Sequence, residues 1–285
     1  MHTIGIFLFM EKRIAIQGIK GSFHHQVAEQ YFDEEEIAIQ ECNSFAEVVN
    51  CLKDKKVDQG VMAIENSIAG SILPNYALID SKELHIVGEY FLDIDLYLMV
   101  LGNQSINEIT EVYSHPIALL QCEVFFRDYP HIKLVECSDT AEAARRIQKG
   151  QLRGIGAISP KIAAKLYDLE IIASSIHTVE SNKTRFFILK SVNDVLPKEL
   201  INKASIKFEL DDTPGSLATV LNVMNNCKLN LTKIQLMPVI DIPFKYSFFV
   251  DVVFEKYKHY EKAKKILEIM TTHFKVLGEY TKGVK

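Results

Sequence analysis

The chain has 285 residues, which at roughly 100–200 residues per domain gives two domains or three. Its 48% hydrophobic and 24% charged residues are those of a folded globular protein and exclude disorder over most of the length. The formal charge is −5, from 32 basic and 37 acidic residues, and no run of Lys or Arg reaches nucleic-acid density, so neither nucleic acid nor an anionic membrane is expected as a partner. A small anionic substrate stays compatible, because a pocket can be positive on a negative protein.

At the N-terminus the apolar run 4–10 is too short to span a membrane and has no basic region before it. Residues 1–12 therefore read as an upstream start or loose extension. From Arg13 to about Leu189, short β-type runs alternate with helical stretches. Strands are predicted at 13–17, 37–41, 60–64, 86–91, 96–101, 111–114, 134–137, 156–158, 171–173 and 185–189. Helices are predicted at 23–31, 45–53, 116–128, 140–149 and 160–167. Ser44-Phe45-Ala46-Glu47 and Asp139-Thr140-Ala141-Glu142 mark two helix starts, each with a capping side chain three residues before a Glu. Such alternation implies α/β layers with ligands at the carboxyl ends of strands.

Residues 192–203, with Asn193, Asp194 and Pro197, read as a linker. Beyond it come a strand at 205–210, a Thr213-Pro214-Gly215 turn, and a helical face of Leu217, Val220, Leu221 and Met224. Strands at 229–236 and 246–254, a helix at 260–273 and a strand at 274–280 complete a βαββαβ, ferredoxin-like pattern. Cys42, Cys51, Cys122, Cys137 and Cys227 are scattered, with no C-x-x-C pair. They read as reduced thiols in a cytoplasmic protein, not as a disulfide framework or a metal site.

The loop Gln17-Gly18-Ile19-Lys20-Gly21-Ser22-Phe23-His24-His25 can offer amides to an anion or be a plain tight turn. Its G-x-x-G spacing is not a dinucleotide fingerprint, and neither histidine is assigned a proton-transfer role. Three further strand ends are polar: Ile64-Glu65-Asn66-Ser67, Ser114-His115-Pro116 with Gln121-Cys122, and Asn182-Lys183-Thr184-Arg185-Phe186. Taken singly, each has a structural alternative: Asn66 and Ser67 as turn caps, Ser114 and Pro116 as a helix start, Arg185 as a solvated charge.

Together with Gly21-Ser22-Phe23, Ala118-Leu119 and Ala157-Ile158-Ser159, these segments recur in this order in prephenate dehydratases, and the chain resembles that family from Arg13 to Tyr280. Thr213-Pro214-Gly215-Ser216-Leu217 and Leu229-Asn230-Leu231-Thr232-Lys233-Ile234 resemble the ACT domain that follows the catalytic region in the family. The resemblance implies a two-lobed catalytic domain of the type II periplasmic-binding-protein kind at 13–190, with lobes at 13–80 plus 184–190 and at 89–174. A linker at 191–203 and an ACT regulatory domain at 204–285 follow.

The implied reaction removes the ring hydroxyl and ring carboxylate of prephenate as water and carbon dioxide, giving phenylpyruvate. Aromatisation drives it, so neither cofactor nor metal is expected. It requires hydrogen-bond donors at the leaving oxygen and a clamp for the side-chain carboxylate. By resemblance, Thr184 donates to the leaving hydroxyl. Glu65 is the candidate proton source, or else orients Asn66, while Asn66 and Gln121 donate amide hydrogens. Arg185 is the candidate clamp or a lobe-internal ion pair. Ser22, Phe23, Ser67, Ser114 and His115 complete the expected substrate site.

The chain departs from the family at Ala63, where a proline is usual, and at Asp93-Ile94-Asp95-Leu96. In the ACT region Gln235-Leu236-Met237-Pro238 replaces E-S-R-P, and Ser216 replaces an alanine. An effector site for L-phenylalanine is expected between Pro214-Gly215-Ser216-Leu217 and Asn230 of a neighbouring chain, in a homodimer or homotetramer, with binding weaker than in relatives that keep the motif. Arogenate dehydration, or amino-acid binding without catalysis, are the alternatives. A transported-solute receptor would need an export signal.

Overall fold

The computed structural model describes residues 11–192, 196–239 and 245–284. Most of the extension expected at 1–12 lies outside the described residues, as do Asn193 and Asp194 of the expected linker.

The described chain is a mixed α/β protein. Strands β1 (Lys12–Gln17), β2 (Ile37–Cys42) and β3 (Gln59–Asn66) alternate with helices α1 (Phe23–Tyr31) and α2 (Phe45–Lys53). A two-residue strand β4 (Gly70–Ser71) and helix α3 (Leu73–Ser81) lead into β5 (His85–Asp93) and β6 (Tyr97–Val100). Next come β7 (Glu111–Ser114), the short helices α4 (Pro116–Gln121) and α5 (Glu123–Phe126), β8 (Lys133–Glu136) and α6 (Thr140–Gly150). They are followed by β9 (Ile155–Ser159), α7 (Lys161–Leu166), β10 (Glu170–Ala173) and β11 (Lys183–Lys190). The last stretch runs β12 (Lys203–Glu209), α8 (Ser216–Asn226), β13 (Asn230–Pro238), β14 (Tyr246–Val253), α9 (Tyr257–Met270) and β15 (Thr272–Tyr280).

Three sheets form, ordered β2-β1-β3-β11-β5 with β4 on β3, β10-β6-β9-β7-β8, and β13-β14-β12-β15. The chain divides into two compact units: Ser71 and the residues before it with Leu92–Phe186, and Ile72–Phe91 with the residues from Phe187 onward. Among the described residues no helix is long and apolar enough to cross a membrane.

In the first unit, β1 pairs in parallel with β2 and β3, and Ile14, Ala15 and Ile16 are fully buried, as a strand covered on both faces requires. Helix starts follow local chemistry. Ser22 Oγ accepts from His25 N at 3.3 Å, and Asp139 Oδ1 accepts from Ala141 N and Glu142 N at 2.7 and 3.2 Å. The reciprocal glutamates behave differently from the expectation. Glu47 accepts from Asn43 N, one residue before the cap, and Glu142 pairs with Arg145 at 2.5 Å.

The single helix expected at 116–128 is broken at Cys122. The Gln121 carbonyl accepts from Thr178 N at 2.9 Å and Thr178 Oγ1 at 3.0 Å, which takes it out of the helical ladder. Helix α3 had no counterpart in the sequence reading. Its apolar residues Leu73, Tyr76, Ala77, Leu78 and Ile79 fall on all sides, and it has no side-chain cap.

In the second unit, β12, β13, β14 and β15 pair antiparallel, with α8 and α9 closing a core of Ile206, Phe208, Val220, Met224, Val252, Tyr260 and Leu267. Segment Ile72–Phe91 belongs to this unit. Tyr76 packs on Phe249 at 5.5 Å between ring centres. Asp80 accepts from Lys207 at 2.6 Å and Lys275 at 2.9 Å, and Glu89 grips Lys203 with both oxygens at 2.8 and 2.7 Å. Burial by itself would raise the Asp80 carboxyl, yet the two ammonium groups hold it below the usual carboxylate range. Helix α9 begins three residues earlier than expected. It ends at Met270 because Thr271 is extended and Thr272 already pairs with Glu209.

Candidate active site

The polar strand ends of the first unit meet where β3 ends beside the start of β11. Asn66 closes β3 and its side chain is spent in both directions. Its Oδ1 accepts from Ile68 N and Ala69 N at 2.9 and 2.8 Å, a turn-capping pattern expected of asparagine. Its Nδ2 donates to Asn182 Oδ1 at 2.7 Å, Thr184 Oγ1 at 2.9 Å and, more weakly, Lys183 O at 3.3 Å. Asn182 Nδ2 in turn donates to Gln121 Oε1 at 3.2 Å. Four side chains, Gln121, Asn182, Asn66 and Thr184, thus form one hydrogen-bonded chain. Asn66 has no hydrogens left for a substrate, so its direct-donor role gives way to holding Thr184.

Two donors remain at the ends of that chain. Thr184 Oγ1 receives from Asn66, so its own hydrogen points elsewhere, and among the described residues nothing accepts it. Gln121 Nε2 likewise has no acceptor among the described residues. Ser67 braces the same corner: its backbone N–H donates to Lys183 O at 2.8 Å. Its hydroxyl accepts from Lys183 N at 2.9 Å and donates to Ser181 O at 3.3 Å.

Strand alternation separates the remaining candidates. Thr184 and Phe186 share one face of β11, and Phe186 meets the His24 ring on α1 edge-on at 5.1 Å. Arg185, buried at 5% exposure, lies on the opposite face, as Glu65 does relative to Asn66 on β3. Strand alternation thus sets Arg185, expected as the carboxylate clamp, and Glu65, expected as the proton source, on the strand face opposite Thr184 and Asn66.

The other expected site residues have mainly structural partners. Ser22 caps α1. Phe23 packs against the core of the second sheet, a cluster that includes Ala118 and Leu119. Ser114, fully buried, donates to Ile158 O at 2.7 Å, and His115 Nδ1 accepts from Ile117 N at 3.3 Å to cap α4. The glycine loop does not hold out its amides: Gly18, Lys20, Gly21 and Ser22 N–H groups go to Cys42 O, Glu41 Oε1, His25 Nδ1 and Ile19 O. It is a tight turn. Both its glycines have positive φ, and a Cβ on Gly18 would sit 2.7 Å from Asp139 Oδ2.

Burial pushes the His24 pKa down to about 4, and burial first also lowers that of His25, so neither is built to carry a proton at neutral pH. Burial pushes the Cys122 thiol, beside Gln121, up to about 12, which makes it a poor nucleophile. Burial raises the Asp139 carboxyl, against the pull of its two backbone donors and of His115. Among the described residues no three His, Cys, Asp or Glu side chains come together as a metal site. The sequence reading quoted Asn182 within its motif but gave it no role. An Asn two residues before Thr184, at the entry to β11, was the available signal.

The family model for prephenate dehydratase matches residues 14–194, well over half of the chain. The chain belongs to the prephenate dehydratase family. It is therefore a dehydratase, a lyase of phenylalanine biosynthesis. Similar to it is a protein of Arabidopsis thaliana named arogenate dehydratase/prephenate dehydratase 2, chloroplastic, 34% identical over 280 residues and covering 94% of this chain and 72% of the relative. The prephenate dehydratase of Staphylococcus aureus subsp. aureus Mu50 has a similar structure, with a TM-score of 0.82 at 27% identity over 95% of this chain and 100% of that one. The prephenate dehydratase of Arthrobacter aurescens, solved in complex with L-Phe, shares the fold with a TM-score of 0.84 at 22% identity over 94% and 89%. The amide chain lies within the matched residues, while β12 to β15 lie beyond them.

Proposed function

We propose that this dehydratase performs the elimination on prephenate with Thr184 as donor to the departing ring hydroxyl and Gln121 as donor to a second substrate oxygen. The ring C–CO₂ bond breaks and its electron pair enters the ring as the C–O bond breaks. Carbon dioxide leaves, and the departing hydroxide takes a proton to become water. A threonine hydroxyl is too weak an acid to supply that proton alone. Thr184 therefore stabilises charge developing on the oxygen, and one proton per turnover is taken up from bulk solvent, relayed to the leaving oxygen through water. The observation carrying this reading is that Thr184 Oγ1 accepts from Asn66 Nδ2 at 2.9 Å, so its own hydrogen is left to donate elsewhere.

Thr184→Val tests it. The variant keeps shape and strand propensity but removes one transition-state donor, worth about 2.7–4 kcal/mol, or roughly 10²–10³ in kcat. Phenylpyruvate formation from purified protein gives kcat and KM, and arogenate in the same assay separates the two substrates. A kcat within about threefold of the parent rejects the role.

The finer architecture belongs to the same proposal. Residues 13–190 fit a two-lobed periplasmic-binding-protein-like catalytic domain, and 204–285 a ferredoxin-like ACT domain, in a cytoplasmic homo-oligomer. Phenylalanine is the proposed effector. Gly215 directly precedes α8 with φ +83°, with Pro214 before it and Ser216 and Leu217 after it, while Asn230 begins β13, after the far end of the same helix. Eleven helical residues at about 1.5 Å each put the two ends some 16 Å apart in one chain. A site using both therefore takes Asn230 from a second copy.

A further inference from the structure

We propose that Asn182 is a positioning residue that fixes the polarity of the donor Gln121 Nε2, relaying to it through a single buried carboxamide the amide direction that Asn66 also imposes on Thr184 Oγ1. This rests on the roles given above to Gln121 and Thr184. The reasoning starts at a backbone that cannot reverse. The N–H groups of Ile68 and Ala69 point at one end of the Asn66 amide, so that end is oxygen and the other is nitrogen. A nitrogen that carries only hydrogens faces Asn182 at 2.7 Å, so the Asn182 atom opposite it is oxygen. The Asn182 nitrogen then faces Gln121 at 3.2 Å, so Gln121 turns its oxygen inward and its Nε2 away.

Asn182 is 1% exposed. Rotating its amide would set donor against donor at Asn66 and acceptor against acceptor at Gln121. Gln121 itself is held by Thr178, whose N–H and hydroxyl both donate to its carbonyl. The residues thus arrive from three places, the ends of β3 and α4 and the entry to β11, and among the described residues Asn182 is the one whose side chain hydrogen-bonds to both Gln121 and Asn66. Its consequence is a site presenting donors to substrate oxygens, suited to an anion and to a departing hydroxyl.

Asn182→Asp separates this from a merely structural role. The carboxylate still accepts from Asn66, so Thr184 stays posed, but it also accepts toward Gln121, whose amide turns and presents its oxygen to the substrate. We expect kcat to fall about tenfold or more with a smaller change in KM. Gln121→Glu, at a half-buried position, keeps an acceptor for Asn182 and presents an acceptor outward, so it reproduces the loss. In a Gln121→Ala background Asn182→Asp costs less than about threefold further, because no amide is left to turn.

Equal losses in both backgrounds, or an Asn182→Asp enzyme with parental kcat, would overturn the proposal. Where Asn182→Asp does not fold by circular dichroism, Gln121→Glu decides alone, and a kcat within about threefold of the parent rejects the polarity. A normal Thr184→Val enzyme would instead reject the donor reading itself.

Discussion

Glu89 and Lys203 form the deepest ion pair among the described residues, with side chains 1% and 5% exposed, and Glu89→Gln probes it with little change in shape. Glu89 Oε1 accepts from Lys203 Nζ and from Gly283 N at 2.8 and 3.0 Å, and Oε2 accepts from Lys203 at 2.7 Å. The variant replaces one oxygen by an NH₂ that meets the ammonium donor to donor and leaves a buried positive charge without its counter-charge. Removing one partner of a buried pair typically costs about 3–5 kcal/mol.

At about 2–4 °C per kcal/mol for chains of 150–250 residues, the melting temperature should fall by at least about 6 °C. Thermal melts at pH 7 followed by circular dichroism measure this directly. The double variant Glu89→Leu/Lys203→Met removes both charges and should recover most of the loss, less about 1–3 kcal/mol for the Gly283 amide left without its acceptor. A Glu89→Gln melt within about 2 °C of the parent would refute the assignment of this pair as a principal tie between Ile72–Phe91 and the four-stranded sheet.

His24 supplies a pH prediction. Its pKa is lowered by burial to about 4, and its Nε2 accepts from Ala63 N at 3.3 Å, so protonation sets two N–H groups against each other. The unfolded chain therefore binds more protons than the folded one between about pH 6.5 and 4, and the His24 contribution, up to about 3 kcal/mol, is complete above that window and lost as pH falls through it. Urea melts at pH 7 and pH 4.5 should differ less in His24→Gln than in the parent, and an equal difference would contradict the assignment. Gly278→Ala tests close packing within the second unit. A Cβ there would lie 2.1 Å from Ile86 O and 2.7 Å from Ile86 Cβ, so backbone must shift, at a cost of about 3 kcal/mol or more. A variant melting with the parent would show that the approach of β15 to β5 is looser than described.

The sequence by itself determined what depends on near neighbours in the chain. Apolar runs such as Ile14–Ile16 and Phe186–Leu189 announced buried strands, because a strand covered on both faces needs apolar residues at every position. Ser44 and Asp139 announced helix starts, because a cap bonds amides two or three residues away. The βαββαβ order from β12 to β15 was legible for the same reason, as was the opposition of Thr184 and Arg185, although choosing the face that carries the site required the Asn66–Thr184 bond. Tertiary structure decided everything that depends on a partner distant in sequence. The break at Cys122 exists because Thr178, 57 residues away, takes the Gln121 carbonyl. Nothing near Lys203 or Glu89 in the sequence marks them as a pair; strands 114 residues apart bring them together out of water. The direction of the amide chain is decided in the same way: an asparagine side chain has two ends of nearly equal size, and only the backbone amides it meets in the folded unit fix which end is the donor.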